Sequence, residues 1–250
     1  MKYIKYALVI TLCVLSFYAS DRLILYVENL SPLMKEIKMY EDSLYESPVN
    51  AIIEDNTIIT GKNGRELNKR ESYLKMNDFG SFNETFFVYD YIKPEISVMD
   101  HLDKVIIGNV SDTDVALIVD NKTIEEYLLI EKIKFSKIVK EQDEINKKEI
   151  TYINGASNED DFNDIRRFLK KNICVVDISN HSACISTKSF IIKPTIELKS
   201  SNISSYVNNT KGGSIIKIDK NLTLNEFKVY LSKLKYNNLE IVDLIDLIKE

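Results

Sequence analysis

The stretch Asp114–Lys122, DVALIVDNK, sets the reading of the whole chain. Val115 to Val119 form an unbroken apolar run that stops abruptly on Asp120 and Asn121. A strand covered on both faces reads as such a run, and parallel sheets are covered on both faces. Ending the strand on a carboxylate puts a polar group at the carboxyl edge of the sheet, where α/β folds hold their ligands.

Outward from this strand the pattern alternates. KVIIGN (104–109) precedes it as a second strand, and TIEEYLLIEK (123–132) follows as a helix opened by Thr123 with acids in its first turn. EITYING (149–155) reads as a strand. SNEDDFNDIRRFLKK (157–171) is a helix with an acidic start and a basic end, matching the helix dipole. ICVVDI, SFIIKP, GSIIKID and LEIVD are further strands, with LTLNEFKVYLSKLK and LIDLIKE as helices. Strands alternating with helices imply a mainly parallel sheet or distorted β/α barrel over residues 104–250. The polar SSNISSYVNNTKGG (200–213) reads as a connection within that domain.

Upstream, residues 48–103 read as a small α+β module, too apolar for disorder. Short strands flank Asp55-Asn56, a turn falls at Asn63-Gly64, and KRESYLKMNDFG forms a helix stopped by Gly80. The aromatic residues of ETFFVYDY fit a core strand or a platform on which sugar rings stack. Residues 23–47 carry a helical pattern and read as a juxtamembrane helix, broken at Ser47-Pro48. In residues 1–22, Lys2 and Lys5 precede an uncharged run from Tyr6 to Ser20. With snorkelling by Lys5 and Arg22 the run approaches the roughly 20 residues of a membrane span. Two readings stand: an uncleaved anchor, and a cleaved signal peptide, for which Tyr18 and Ser20 make a poor cleavage site. The basic start predicts a single-pass protein of the cell membrane with its C-terminal domain extracytoplasmic.

The net charge of −5 and pI near 5.3 argue against a nucleic-acid partner. Only two histidines, His101 and His181, and three cysteines, Cys13, Cys174 and Cys184, occur. No CxxC or HExxH spacing is present, so a familiar zinc site is not expected.

The run GGSIIKIDKNLTLNEFKVYLSKLKYNNLEIVDLIDLI (212–248) resembles the close of the NodB-homology polysaccharide deacetylases, and the run at Val115 resembles that family's first catalytic strand. DNTIITGKNGREL, SYLKM, GSFNE and IKPEIS, between residues 48 and 109, are similar to the lead-in of membrane-anchored deacetylase-like proteins of low-GC Gram-positive bacteria. The resemblance implies a divalent metal, zinc or another, held by an Asp and two His. That metal activates a water against an acetamido carbonyl, with an Asp as base and a late His as acid. Carried over by position, Asp120 falls on the base, Asn121 on the metal-binding Asp, and Asp219 on the acid histidine. No HxxxH exists. The resemblance therefore implies a shortened NodB-like domain with the metal ligands lost and no metal cofactor. Its partner would be cell-envelope polysaccharide or peptidoglycan.

Several alternatives stay open at this stage. Asp120 and Asp219 fit a paired-carboxylate site, or two strand-end residues bonded to loop amides. Cys174 and Cys184, ten positions apart, fit a disulfide, a metal site with His181, or two thiols. Cys13 reads as a plain apolar membrane residue, and His101 as a solvated connector. Three functions remain: a pseudoenzyme holding envelope glycan, an N-deacetylase of amino-sugar polymers working through Asp120 and Asp219, and a cell-envelope scaffold.

Overall fold

The computed structural model describes residues 2–145, 149–169, 172–176 and 181–249. From the amino end come α1 (Lys2–Leu30), α2 (Pro32–Met39) and α3 (Glu41–Leu44), then β1 (Ile52–Glu54), β2 (Thr57–Thr60) and β3 (Gly64–Leu67). Next are α4 (Lys69–Phe79), β4 (Tyr89–Ile92), β5 (Val105–Asn109), β6 (Asp114–Val119), α5 (Lys122–Ile130) and β7 (Ser136–Val139). They lead into β8 (Thr151–Asn154), α6 (Glu159–Phe168), β9 (Ile173–Val175), α7 (His181–Ser186), β10 (Phe190–Ile192) and β11 (Ile196–Leu198). The chain closes with α8 (Ile203–Asn209), β12 (Ile215–Ile218), α9 (Leu224–Tyr236), β13 (Glu240–Val242) and α10 (Leu244–Ile248).

These elements form two compact units. Residues 1–47 and 64–92 make one, and residues 48–63 and 93–250 the other. The stretch 48–103 thus contributes to both.

The larger unit is built on a sheet in the order β1-β2-β5-β10-β9-β8-β7-β6-β12-β11, with β13 added to the start of β6. Among the described residues every pairing in it is parallel except β1 with β2. Only Lys193–Thr195 separate β10, which pairs with β9, from β11, which pairs with β12. One run of chain therefore carries the ladder back to β12, and the sheet curls into a barrel-like wall.

The apolar runs form these strands because both faces are buried. All five residues from Val115 to Val119 are fully buried. Ala116 and Ile118 face inward with Ile106, Ile153, Ile173, Ile192 and Ile215, against Leu244, Leu247 and Ile248 of α10. Val115, Leu117 and Val119 face outward to Ile124 and Leu128 of α5 and Phe227 and Tyr230 of α9. Burying one such side chain contributes roughly 1.5–3 kcal/mol, so neither face of β6 tolerates a polar residue cheaply.

Helix ends follow the local chemistry. Asn121, Asn158 and Thr223 cap α5, α6 and α9 through side-chain oxygens. Thr223 and Glu226 form a reciprocal capping box. α6 begins on Glu159, Asp160 and Asp161 and ends on Arg166 and Arg167, in line with its dipole.

The smaller unit carries α1, in which Val9–Leu30 is long and apolar enough to cross a membrane. Arg70 on α4 reaches Asp21 at 3.6 Å and Glu28 at 3.5 Å on α1. Its core is Ile37, Leu67 and Met76, ringed by Tyr40, Phe82, Phe86, Phe87 and Tyr89. Most of the aromatic run is therefore packed inward, while Tyr91 stands 75% exposed. Gly80 ends α4 in the left-handed conformation at φ 89°.

Candidate functional site

Alternation along parallel strands brings one residue from each to the inner face at the carboxyl edge. Above Ile118 comes Asp120, above Ile138 comes Lys140, above Ile153 comes Gly155, above Ile173 comes Val175, and above Ile215 comes Lys217. Together with Glu144 and Val176 they line a cleft of about 710 Å³. A side chain at Gly155 would start 2.4 Å from Ile138 Cγ2, so glycine keeps the wall flat there.

The four charged groups that line this cleft among the described residues are held differently. Asp120, just past β6, is exposed. Glu144 closes the turn after β7, and its Oε1 accepts the N–H groups of Lys140 at 3.1 Å and Glu141 at 3.2 Å. Lys217 lies within β12, half-buried and in register with Ile118. Among the described residues neither Lys217 nor Lys140 has a carboxylate within the 4.0 Å of an ion pair.

Asn121 and Asp219 are not among the residues lining the cleft. Asn121 follows Val119 in phase, on the helix side of the sheet. Its Oδ1 accepts the Ile124 N–H at 3.1 Å, and its Nδ2 donates to the carbonyls of Lys220 at 2.8 Å and Leu222 at 2.9 Å. Asp219 turns with the chain after β12. Its N–H donates to Leu198 at 3.0 Å, and its Oδ1 accepts the Asn221 N–H at 2.9 Å.

His101 precedes β5 in a short turn and so lies at the amino edge, the opposite end from the cleft. His181 begins α7, and its side chain lies outside the described residues. Cys174 of β9 and Cys184 of α7 are joined as a disulfide, with Cα atoms 6.3 Å apart, buried between sheet and helix. Cys13 is a free, exposed thiol on α1. No group of three His, Cys, Asp or Glu side chains able to hold a metal occurs among the described residues.

Sequence reading missed Lys140, Glu144 and Lys217. For Lys217 the signal was present: in SIIKID it shares the parity of Ile215 and interrupts an otherwise apolar strand.

No family model matches the sequence, and no curated protein matches it. Solved structures do. A mutant of BA3943, a CE4 family pseudoenzyme, aligns at a TM-score of 0.63 and 15% identity, over 88% of this chain and 98% of that chain. Wild-type BA3943 from Bacillus anthracis aligns at 0.62 and 15%, over 88% of this chain and 96% of its own. A BA3943 mutant with restored enzymatic activity aligns at 0.62 and 15%, over 88% and 99%. At such identity the likeness is one of fold: the chain has the curled, mainly parallel NodB-like architecture of that carbohydrate esterase family.

Proposed function

We propose that this is a membrane-anchored, extracytoplasmic deacetylase-like protein that holds cell-envelope polysaccharide in the barrel cleft without metal-dependent deacetylation. In this reading residues 1–22 anchor the chain, residues 104–250 form the degenerate deacetylase domain, and peptidoglycan is the partner.

The donor set of the cleft carries the reading. A divalent cation wants anionic or neutral ligands. The cleft instead offers two ammonium groups, Lys140 and Lys217, which repel it, beside Asp120 and a Glu144 already accepting two amides. The residue after Asp120 is an amide engaged with backbone groups on the other face of the sheet. These residues do not fit the zinc of the deacetylases. In this reading no carboxylate pair operates, since the Asp219 carboxylate accepts the Asn221 N–H within its own turn and is not among the residues lining the cleft. The inward faces that remain, Ile138, Gly155 and Val175, offer a flat apolar wall to a sugar ring.

The test uses the full chain in detergent micelles, incubated with acetylated peptidoglycan in the presence of zinc or cobalt. Acetate release and co-sedimentation are read together. The expected result is retention on the peptidoglycan with no acetate. Acetate release that vanishes in Asp120→Asn would overturn the reading and restore the hydrolase.

A further inference from the structure

We infer that the cleft contains an anion-recognition site centred on Lys217, so that the glycan it takes bears a singly charged acidic group. The inference rests on the polysaccharide reading above and narrows it to a ligand class.

Lys217 occupies a costly position. Below it the inner face of the sheet is a largely isoleucine layer, with 106, 118, 153, 173, 192 and 215, and Lys217 stands directly above Ile215. An ammonium drawn partly out of water loses hydration that only an anion or strong acceptors restore. Among the described residues the two acids that line the cleft do not supply it. Asp120 is exposed past the end of β6, and Glu144 is turned to the amides of its own turn. Among the described residues no carboxylate pairs with Lys217, although surface lysines elsewhere do find one, as Lys199 finds Glu197 at 3.1 Å. Nothing in the packing of β12 requires a cation there, since Ile216 and Ile218 alone make its outer contacts.

The charge count sets the ligand. Among the described residues two ammoniums and two carboxylates line the recess and cancel in formal charge, so the anion is matched to the unpaired Lys217 itself, one ammonium to one negative charge, not the two of a phosphomonoester. A compact ammonium also suits a lone carboxylate or phosphodiester, with no demand for the bidentate geometry of arginine. Carboxylate-bearing sugars and sugar-phosphate polymers share this chemistry. The apolar wall of Ile138 and Val175 with the flat spot at Gly155 would take the ring beside the charge.

Binding is measured on the full chain in detergent by calorimetry with four probes. These are a neutral N-acetylglucosamine oligomer, an N-acetylglucosamine–N-acetylmuramic acid oligomer with its carboxylates free, the same oligomer with those carboxyls reduced to alcohols, and a glycerol-phosphate oligomer. The carboxylate form or the phosphodiester is expected to bind at least about tenfold tighter than the neutral glycans. Lys217→Gln should abolish that preference and Lys217→Arg retain part of it, with the melting temperature of Lys217→Gln unchanged or raised. Equal binding of charged and neutral glycans, or a preference that survives Lys217→Gln, overturns the anion site and leaves the polysaccharide reading standing. Lys217-dependent binding of the glycerol-phosphate oligomer alone, with no glycan bound, keeps the anion site and overturns the polysaccharide reading. Binding of none of the four overturns both.

Discussion

Asn121 and Leu222, 101 positions apart in sequence, are joined by a 2.9 Å hydrogen bond from the Asn121 amide to the Leu222 carbonyl. A second bond to Lys220, at 2.8 Å, fastens the start of α5 to the turn that leads into α9. An aspartate here would still cap α5 but would face two carbonyl oxygens with no proton to give them. We predict that Asn121→Asp lowers stability by about 1–3 kcal/mol. It should also fail to bring in a metal, because the side chain points away from the cleft. Urea unfolding and metal analysis after dialysis against zinc check this. A variant of unchanged stability carrying one zinc per chain would contradict both expectations.

How far such features were legible in the sequence depended on how local their causes are. The apolar run Val115–Val119, the acidic and basic ends of α6 and the Gly80 stop each write their own structure in a few residues, and the structure follows them. The hairpin around Asp55-Asn56 was equally legible, but its destination was not. β2 pairs in parallel with β5, and a four-residue strand has the same alternation whether it joins a small module or the large sheet. On β12 it is Lys217, one inward position before Asp219, that lines the cleft. Asp219 and Lys217 share a parity in SIIKID, and which of them faces the cleft depends on β12 ending at Ile218, where the Asp219 N–H turns to Leu198. A strand end of that kind is fixed by the partner strand, not by the residues themselves.

The Gly212-Gly213 turn before β12 yields a sharper stability prediction. Gly213 has φ 77°, and its N–H donates to Asp114 at 2.7 Å. A Cβ on it would fall 1.8 Å from the Asn109 carbonyl oxygen, and backbone cannot yield that distance locally. Gly213→Ala therefore combines left-handed strain with a backbone clash, at a cost of several kcal/mol, on the order of 4–5 or more. We expect no soluble folded protein, or a cooperative transition lost from circular dichroism. Gly80→Ala, where φ is 89° and no atom lies within 4 Å of the added Cβ, should cost only about 1–2 kcal/mol.

The Cys174–Cys184 disulfide closes a short loop, with a sequence separation of 10. Restricting a loop of that length in the unfolded chain stabilises by roughly 3 kcal/mol in the chain-entropy account. Both sulfurs are buried, so replacement by alanine also leaves a small void. The paired Cys174→Ala, Cys184→Ala variant should unfold at a lower temperature than the oxidised protein, and added reductant should lower the melting point of the parent only. An equal response of both proteins to reductant would mean that the thiols are not paired in solution.

Alkaline titration of Tyr230 provides a pH-dependent check on the packing of α9. Its ring is fully buried, and its hydroxyl lies 2.8 Å from Thr210 Oγ1. Thr210 has a single hydroxyl proton, which it gives to the Tyr206 carbonyl at 2.7 Å, so Tyr230 is the donor to Thr210. Burial disfavours the phenolate and pushes the Tyr230 pKa up to about 12, while the Thr210 hydroxyl, which can turn to donate to a phenolate, offsets part of that rise. The sign follows from linkage. Between pH 10 and 12 the unfolded tyrosine has released its proton and the folded one has kept it, so unfolding releases a proton and stability falls as pH rises. The contribution is complete below pH 10 and is lost as pH rises through about 12. The loss across that range amounts to about 3 kcal/mol at most. Urea midpoints measured from pH 9 to 12 should therefore drop more steeply for the parent than for Tyr230→Phe. The phenylalanine variant leaves Thr210 bonded to Tyr206 and should cost only about 1 kcal/mol at neutral pH. Parallel pH profiles for the two proteins would place Tyr230 in contact with solvent and contradict its packing beneath α8.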